Sequence, residues 1–78
     1  MPTPAALESR LAEAFPGAEV EVTDLTGTAD HFQAVVVAPA FDGKTRVEQH
    51  RMVYAALGEL MGGAIHALAL TTRAPGRP

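Results

Sequence analysis

The amino-acid sequence predicts an α+β domain of order α-β-β-turn-α-β, with a three-stranded mixed sheet and the helices on one face. Three observations carry this. Glu19-Val20-Glu21-Val22-Thr23 alternates strictly, as a half-buried strand does. Thr45-Arg46-Val47-Glu48 has the pattern of a capping box at the start of a helix. A strand-like run, Ala34-Val35-Val36-Val37, precedes that helix, and another, Ile65 to Thr72, follows it. A strand–helix–strand connection joins parallel neighbours in the right-handed sense.

The first helix is predicted over Thr3 to Phe15. Thr3 can cap it, and Pro4 suits the first turn, where a missing N–H costs nothing. Leu7, Leu11, Ala14 and Phe15 fall at helical spacing, and Pro16-Gly17 ends the run. The first strand follows, then a loop from Asp24 to Asp30. The second strand runs from His31 to Ala38 and is stopped by Pro39. Its valines favour a pleated backbone, and the two strands form an antiparallel hairpin. Phe41-Asp42-Gly43-Lys44 reads as a turn with Gly43 at positive φ. The second helix is expected from the capping box to about Met61, with Val47, His50, Tyr54, Leu57 and Met61 as its inward seam, Val53 and Leu60 beside it, and Gly62-Gly63 as its stop. The third strand covers Ile65 to Thr72, and residues 73–78 read as a flexible tail.

A chain of 78 residues makes one domain, with an ordered core over about 3–72. There is no cysteine, which excludes disulfides, a thiolate nucleophile and any Cys-based metal site made by this chain alone. The longest apolar stretch, residues 34–41, is far below the roughly 20 residues that span a bilayer. No basic segment followed by an apolar one opens the chain, so no signal peptide is expected and the chain is read as cytoplasmic. Net charge is −3, which argues against a dedicated nucleic-acid binder.

Two histidines stand out. His31 opens the second strand beside Asp30, and His66 opens the third ahead of Ala67-Leu68-Ala69-Leu70. If the strands are parallel neighbours, both imidazoles emerge at one end of the sheet. Each residue is either a metal ligand or a histidine bonded locally at a strand end. Two ligands do not complete a metal site, so a site here draws others from a partner. His50 reads as a packed helix histidine bonded to backbone or Tyr54. Lys44, Arg46 and Arg51 surround a helix N-terminus, which attracts phosphate. Together they are a nucleic-acid contact, a solvated basic face or a patch for an acidic partner. No nucleophile–base–orienter set and no phosphate-binding glycine motif can be assembled, so no enzymatic activity is expected.

Three segments carry a resemblance: 31–37, His-Phe-Gln-Ala-Val-Val-Val; 41–54, with Phe-Asp-Gly-Lys-Thr-Arg and Gln-His-Arg; and 65–72, Ile-His-Ala-Leu-Ala-Leu-Thr-Thr. With these the chain resembles the BolA family, in its short, cysteine-free bacterial form. The resemblance implies a fold similar to class II KH domains. It also implies pairing with a monothiol glutaredoxin of the Cys-Gly-Phe-Ser type and a [2Fe–2S] cluster shared between the two proteins and glutathione, the isolated chain holding none. The family's last-strand ligand carries over onto His66. Its second ligand, a Cys or His, comes from the loop between the first two strands. Here that loop holds neither, and His31, just past it, is the nearest substitute. The resemblance further implies a role in transcription and the stress response through segment 41–60, with Lys44, Arg46 and Arg51 meeting DNA. The turn at Gly43 has one glycine where KH domains have a Gly-x-x-Gly grip. Alone, the chain is expected to be a monomer or a weak homodimer.

Overall fold

The computed structural model describes residues 3–25, 27, 31–61, 63, 65 and 67–76. Helix α1 (Pro4–Ala14) is followed by strands β1 (Glu19–Asp24) and β2 (His31–Val37), helix α2 (Arg46–Leu57) and strand β3 (Ala67–Arg73). Short 3-10 turns at Pro39–Phe41 and Gly58–Leu60 lead into and out of α2. The sheet order is β1-β2-β3. β1 pairs antiparallel with β2, from Glu19 opposite Val37 to Asp24 opposite Phe32. β3 pairs parallel with β2, from His31 opposite Ala67 to Val37 opposite Arg73. The predicted α+β class, order and mixed sheet are those observed.

Local chemistry explains the helix starts. The Ala6 N–H donates to Thr3 Oγ1 at 3.1 Å, capping α1. At α2 the Glu48 N–H donates to Thr45 Oγ1 at 3.2 Å, and the Thr45 N–H donates to Glu48 Oε1 at 2.8 Å. Both halves of the capping box are therefore made. Gly43 has φ 78°, the left-handed turn conformation that glycine adopts without strain.

The core lies between the helices and one sheet face. Phe32, Ala34 and Val36 alternate along β2 onto Leu7 and Leu11 of α1 and Val53 and Leu57 of α2, with Phe15, Phe41 and Ile65 closing the ends. The Phe15 and Phe41 rings meet at 5.1 Å with 57° between their planes, a favoured tilted arrangement.

Three expectations are corrected. The α2 helix ends at Leu57, short of the expected Met61, because Gly58 leaves helical geometry at φ 55°, ψ −126°. The inward seam of α2 is Val53 and Leu57, while Val47 and Tyr54 are 60% and 40% exposed. The β3 strand starts at Ala67 and includes Arg73, and Ala74 is buried in the core. Residues 73 and 74 thus belong to the fold and not to a tail.

Candidate functional site

The parallel register decides where the histidines can act. His31 is the first residue of β2, half-exposed, and lies opposite Ala67, the residue after His66 in the chain. Alternation along β2 sends Phe32 into the core, so His31 shares the helix-free face with Gln33 and Val35. The His31 carbonyl accepts the Leu25 N–H at 2.9 Å, which closes the mouth of the β1–β2 loop. His31 is thus held by backbone pairing on both sides, with part of its side chain open to solvent. An imidazole so placed can ligate a metal centre presented from outside. His66 lies outside the described residues. Among the described residues no three His, Asp or Glu side chains gather in a way that would hold a metal ion. His50 meets Tyr54 edge-on, with ring centroids 6.4 Å apart, and is half-buried on α2.

The basic residues sit at the other end of the sheet. α2 runs back from the C-terminal ends of the strands, so its first turn lies beside Thr72 and Arg73. Lys44 and Arg46 line an open cleft of about 320 Å³ there, together with Phe41, Gln49, Thr72 and Arg73. Arg51 is not among its lining residues. Five residues further along a helix is roughly 140° around its axis from Arg46. Lys44 and Arg46 thus share the cleft, while Arg51 lies further around the helix and is linked to Lys44 through Glu48. The cleft and the start of β3 are about 20 Å apart along the strand.

Gln49 builds the cleft, a role that the Gln-His-Arg motif did not reveal. Its Nε2 donates to the Lys44 carbonyl at 2.9 Å and to the Phe41 carbonyl at 3.4 Å, and its Oε1 accepts from Thr72 Oγ1 at 2.7 Å. One side chain thereby ties the turn before α2 to β3. Gln49 opens the Gln-His-Arg run of the resemblance, and its position four residues after the capping Thr45 puts it on the face toward the turn. Electrostatics at this entrance also tune Glu48. Hydrogen bonds from the Thr45 N–H and then from its hydroxyl hold the Glu48 carboxyl below its usual range, with Lys44 and Arg51 adding to the effect.

Comparison with known proteins places this geometry among relatives. The family described as BolA-like protein matches residues 10–77. Human BolA-like protein 1 is 36% identical over 81 aligned residues, covering 95% of this chain and 59% of the human protein. The chain thus spans well under two thirds of that relative's length. The Escherichia coli protein named DNA-binding transcriptional regulator BolA is 36% identical over 73 residues, covering 85% of this chain and 70% of its own. A solved bolA homologue from Coxiella burnetii superposes with a TM-score of 0.80 at 36% identity, covering 96% of this chain and 94% of that one.

Proposed function

The chain belongs to the BolA family, and from that premise we propose that it is a non-enzymatic iron–sulfur adaptor. It pairs with a monothiol glutaredoxin of the Cys-Gly-Phe-Ser type, and a glutathione-ligated [2Fe–2S] cluster is shared across the pair as cargo. His66, next in sequence before the third strand, is one ligand and His31 the second. One observation carries the reading: β2 and β3 are parallel neighbours whose register begins with His31 opposite Ala67, next in sequence to His66. The half-exposed His31 side chain fits a centre brought by a partner, and the partner supplies the remaining ligands. Imidazole in place of thiolate on one iron raises the cluster potential and makes ligation sensitive to protons. Both properties suit a carrier or sensor of clusters.

The test is anaerobic titration of the chain with cluster-loaded glutaredoxin and glutathione, followed by visible circular dichroism and native mass. A new spectrum with a 1:1 heterodimer is expected, lost in His66→Ala and altered in His31→Ala. A heterodimer whose spectrum is the same in both variants would overturn the ligand assignment, and the absence of any complex would overturn the adaptor reading.

A second reading is favoured by Lys44 and Arg46 sharing one cleft and by the printed name of the Escherichia coli relative. In it the chain binds DNA through this entrance as a transcriptional regulator. Binding to duplex DNA that weakens steeply with salt and with Arg46→Ala supports it. Binding indifferent to Arg46 counts against it.

A further inference from the structure

The two edges of the sheet are treated differently. At the β1 edge the Val22 N–H, which points away from β2, donates to Glu8 Oε2 of α1 at 3.0 Å. A carboxylate thus blocks a backbone donor that another strand could use. The β3 edge has no neighbouring strand among the described residues. The Arg73 carbonyl accepts the Ala38 N–H at 3.1 Å, so the polar backbone of Arg73 turns toward β2. In a parallel ladder alternate residues turn opposite ways. The N–H and C=O groups of Leu68, Leu70 and Thr72 therefore face the open edge. Residues 67–72, Ala-Leu-Ala-Leu-Thr-Thr, carry no charge and no proline. These are the features that normally guard an edge strand.

Beside this edge lies a second cleft of about 320 Å³, lined by Arg46, His50, Leu70, Thr71 and Thr72. It adjoins the Lys44 cleft through Arg46 and Thr72. No acidic residue lines either cleft among the described residues, although the chain as a whole is acidic, at −3. The sheet's acids lie at its other edge, on β1, as Glu19, Glu21 and Asp24.

We propose that the β3 edge is a docking groove for an extended acidic segment of a partner protein, which adds to the sheet as a fourth strand. Its backbone pairs with the outward groups of Leu70 and Thr72. Its alternate side chains on the α2 side are carboxylates that meet Lys44 and Arg46. Charge selects this guest over the alternatives. A second copy docked edge to edge offers the same acid-free clefts and so no carboxylates to meet Lys44 and Arg46. A copy presenting its acidic β1 edge would first have to release Val22 from Glu8. A nucleic-acid strand has no amide ladder to offer, and among the described residues no Phe, Tyr or Trp lines the groove for base stacking. The strand-addition mode takes its affinity from main-chain bonds and its specificity from alternate side chains.

The probe is a short fluorescent peptide alternating glutamate and valine, read by anisotropy on the chain alone, without glutaredoxin or iron. A glutamine–valine peptide is the charge control. Two further versions are N-methylated on one or the other set of alternate residues. Strand addition requires that one N-methylated version lose binding while the other keeps it. It also requires slowed amide exchange at Leu70 and Thr72 when the peptide binds. Lys44→Ala combined with Arg46→Ala is expected to weaken binding on the order of tenfold, as exposed charge pairs do. Both residues are exposed, and an unchanged circular dichroism spectrum shows that the variant is folded. The proposal is overturned by no binding, by equal binding of the glutamine peptide, or by indifference to both methylation patterns. It is also overturned if oligothymidylate competes at the same amides, or if those amides gain protection with protein concentration alone.

Discussion

At the scale of single residues, most of the chemistry is carried by polar groups that close short hydrogen-bonded loops. The capping box was legible because its two partners are three residues apart in sequence. Thr45→Ala is expected to lower stability by about 1 kcal/mol, measured by urea unfolding. Glu48 adds a pH signature. Its folded pKa lies below the ordinary value of 4.5, so the native state binds fewer protons than the unfolded one. Its contribution is present above that value and is lost as pH falls through the folded pKa. The stability difference between the wild type and Glu48→Gln is therefore expected to shrink on acidification below about pH 4.5, which a pH series of unfolding curves checks. Gln49 and Arg10 were not legible in the same way. Arg10 Nε of α1 donates to the Ala56 carbonyl at 2.9 Å, near the end of α2. Its partner is 46 residues away in sequence, and no local pattern marks it.

At the scale of elements, the sequence placed every helix and strand of the described fold but misjudged where α2 ends and which way it faces. Helical periodicity put Val47, Tyr54 and Leu57 on one inward seam with Val53 beside it. Packing against β2 and α1 buries Leu57 and Val53 and leaves Val47 and Tyr54 exposed. The end of α2 depends on backbone conformation. A Cβ at Gly58 would sit at a φ of +55° and 3.4 Å from Arg10 Nη2. Gly58→Ala is expected to destabilise the fold by about 1–3 kcal/mol, seen as a lower midpoint in thermal unfolding. The β2–β3 register is the element-scale fact on which the histidine assignment depends. Sequence order implied a parallel crossover, and adjacency of the two strands is what the structure added.

At the scale of the whole molecule, a small core and two unequal sheet edges set the behaviour. Phe32 is fully buried, and Phe32→Ala is expected to cost about 3–5 kcal/mol. That is comparable with the entire stability of a small domain, so this variant is expected to be largely unfolded by near-ultraviolet and far-ultraviolet circular dichroism. Glu8 has a different weight. Glu8→Ala leaves the Val22 N–H without its acceptor, at a cost of about 1–3 kcal/mol, and uncovers the acidic β1 edge. Concentration-dependent association, head to tail onto the basic β3 edge, is the expected outcome on analytical ultracentrifugation. A sedimentation profile unchanged from that of the wild type would show that Glu8 does not guard the edge. Among the described residues the exposed large apolar side chains are Leu25, Val47 and Tyr54, while Val35 is half-buried and Val37 only 8% exposed. The valines of β2 are thus not among the exposed large apolar side chains of the described residues.

The sequence by itself determined what local chemistry can encode: the alternating strand, the capped helices, the turn at Gly43, and family membership through the residues around His31, the second helix and His66. Each depends on residues within a few positions of one another. Only the tertiary structure decided the face of α2 that is buried, the inclusion of Arg73 and Ala74 in the fold, and the separation of the basic entrance from the histidine end. It also decided that one edge of the sheet is guarded and the other open. These features depend on contacts between residues far apart in the chain, and a pattern read along one segment at a time does not contain them.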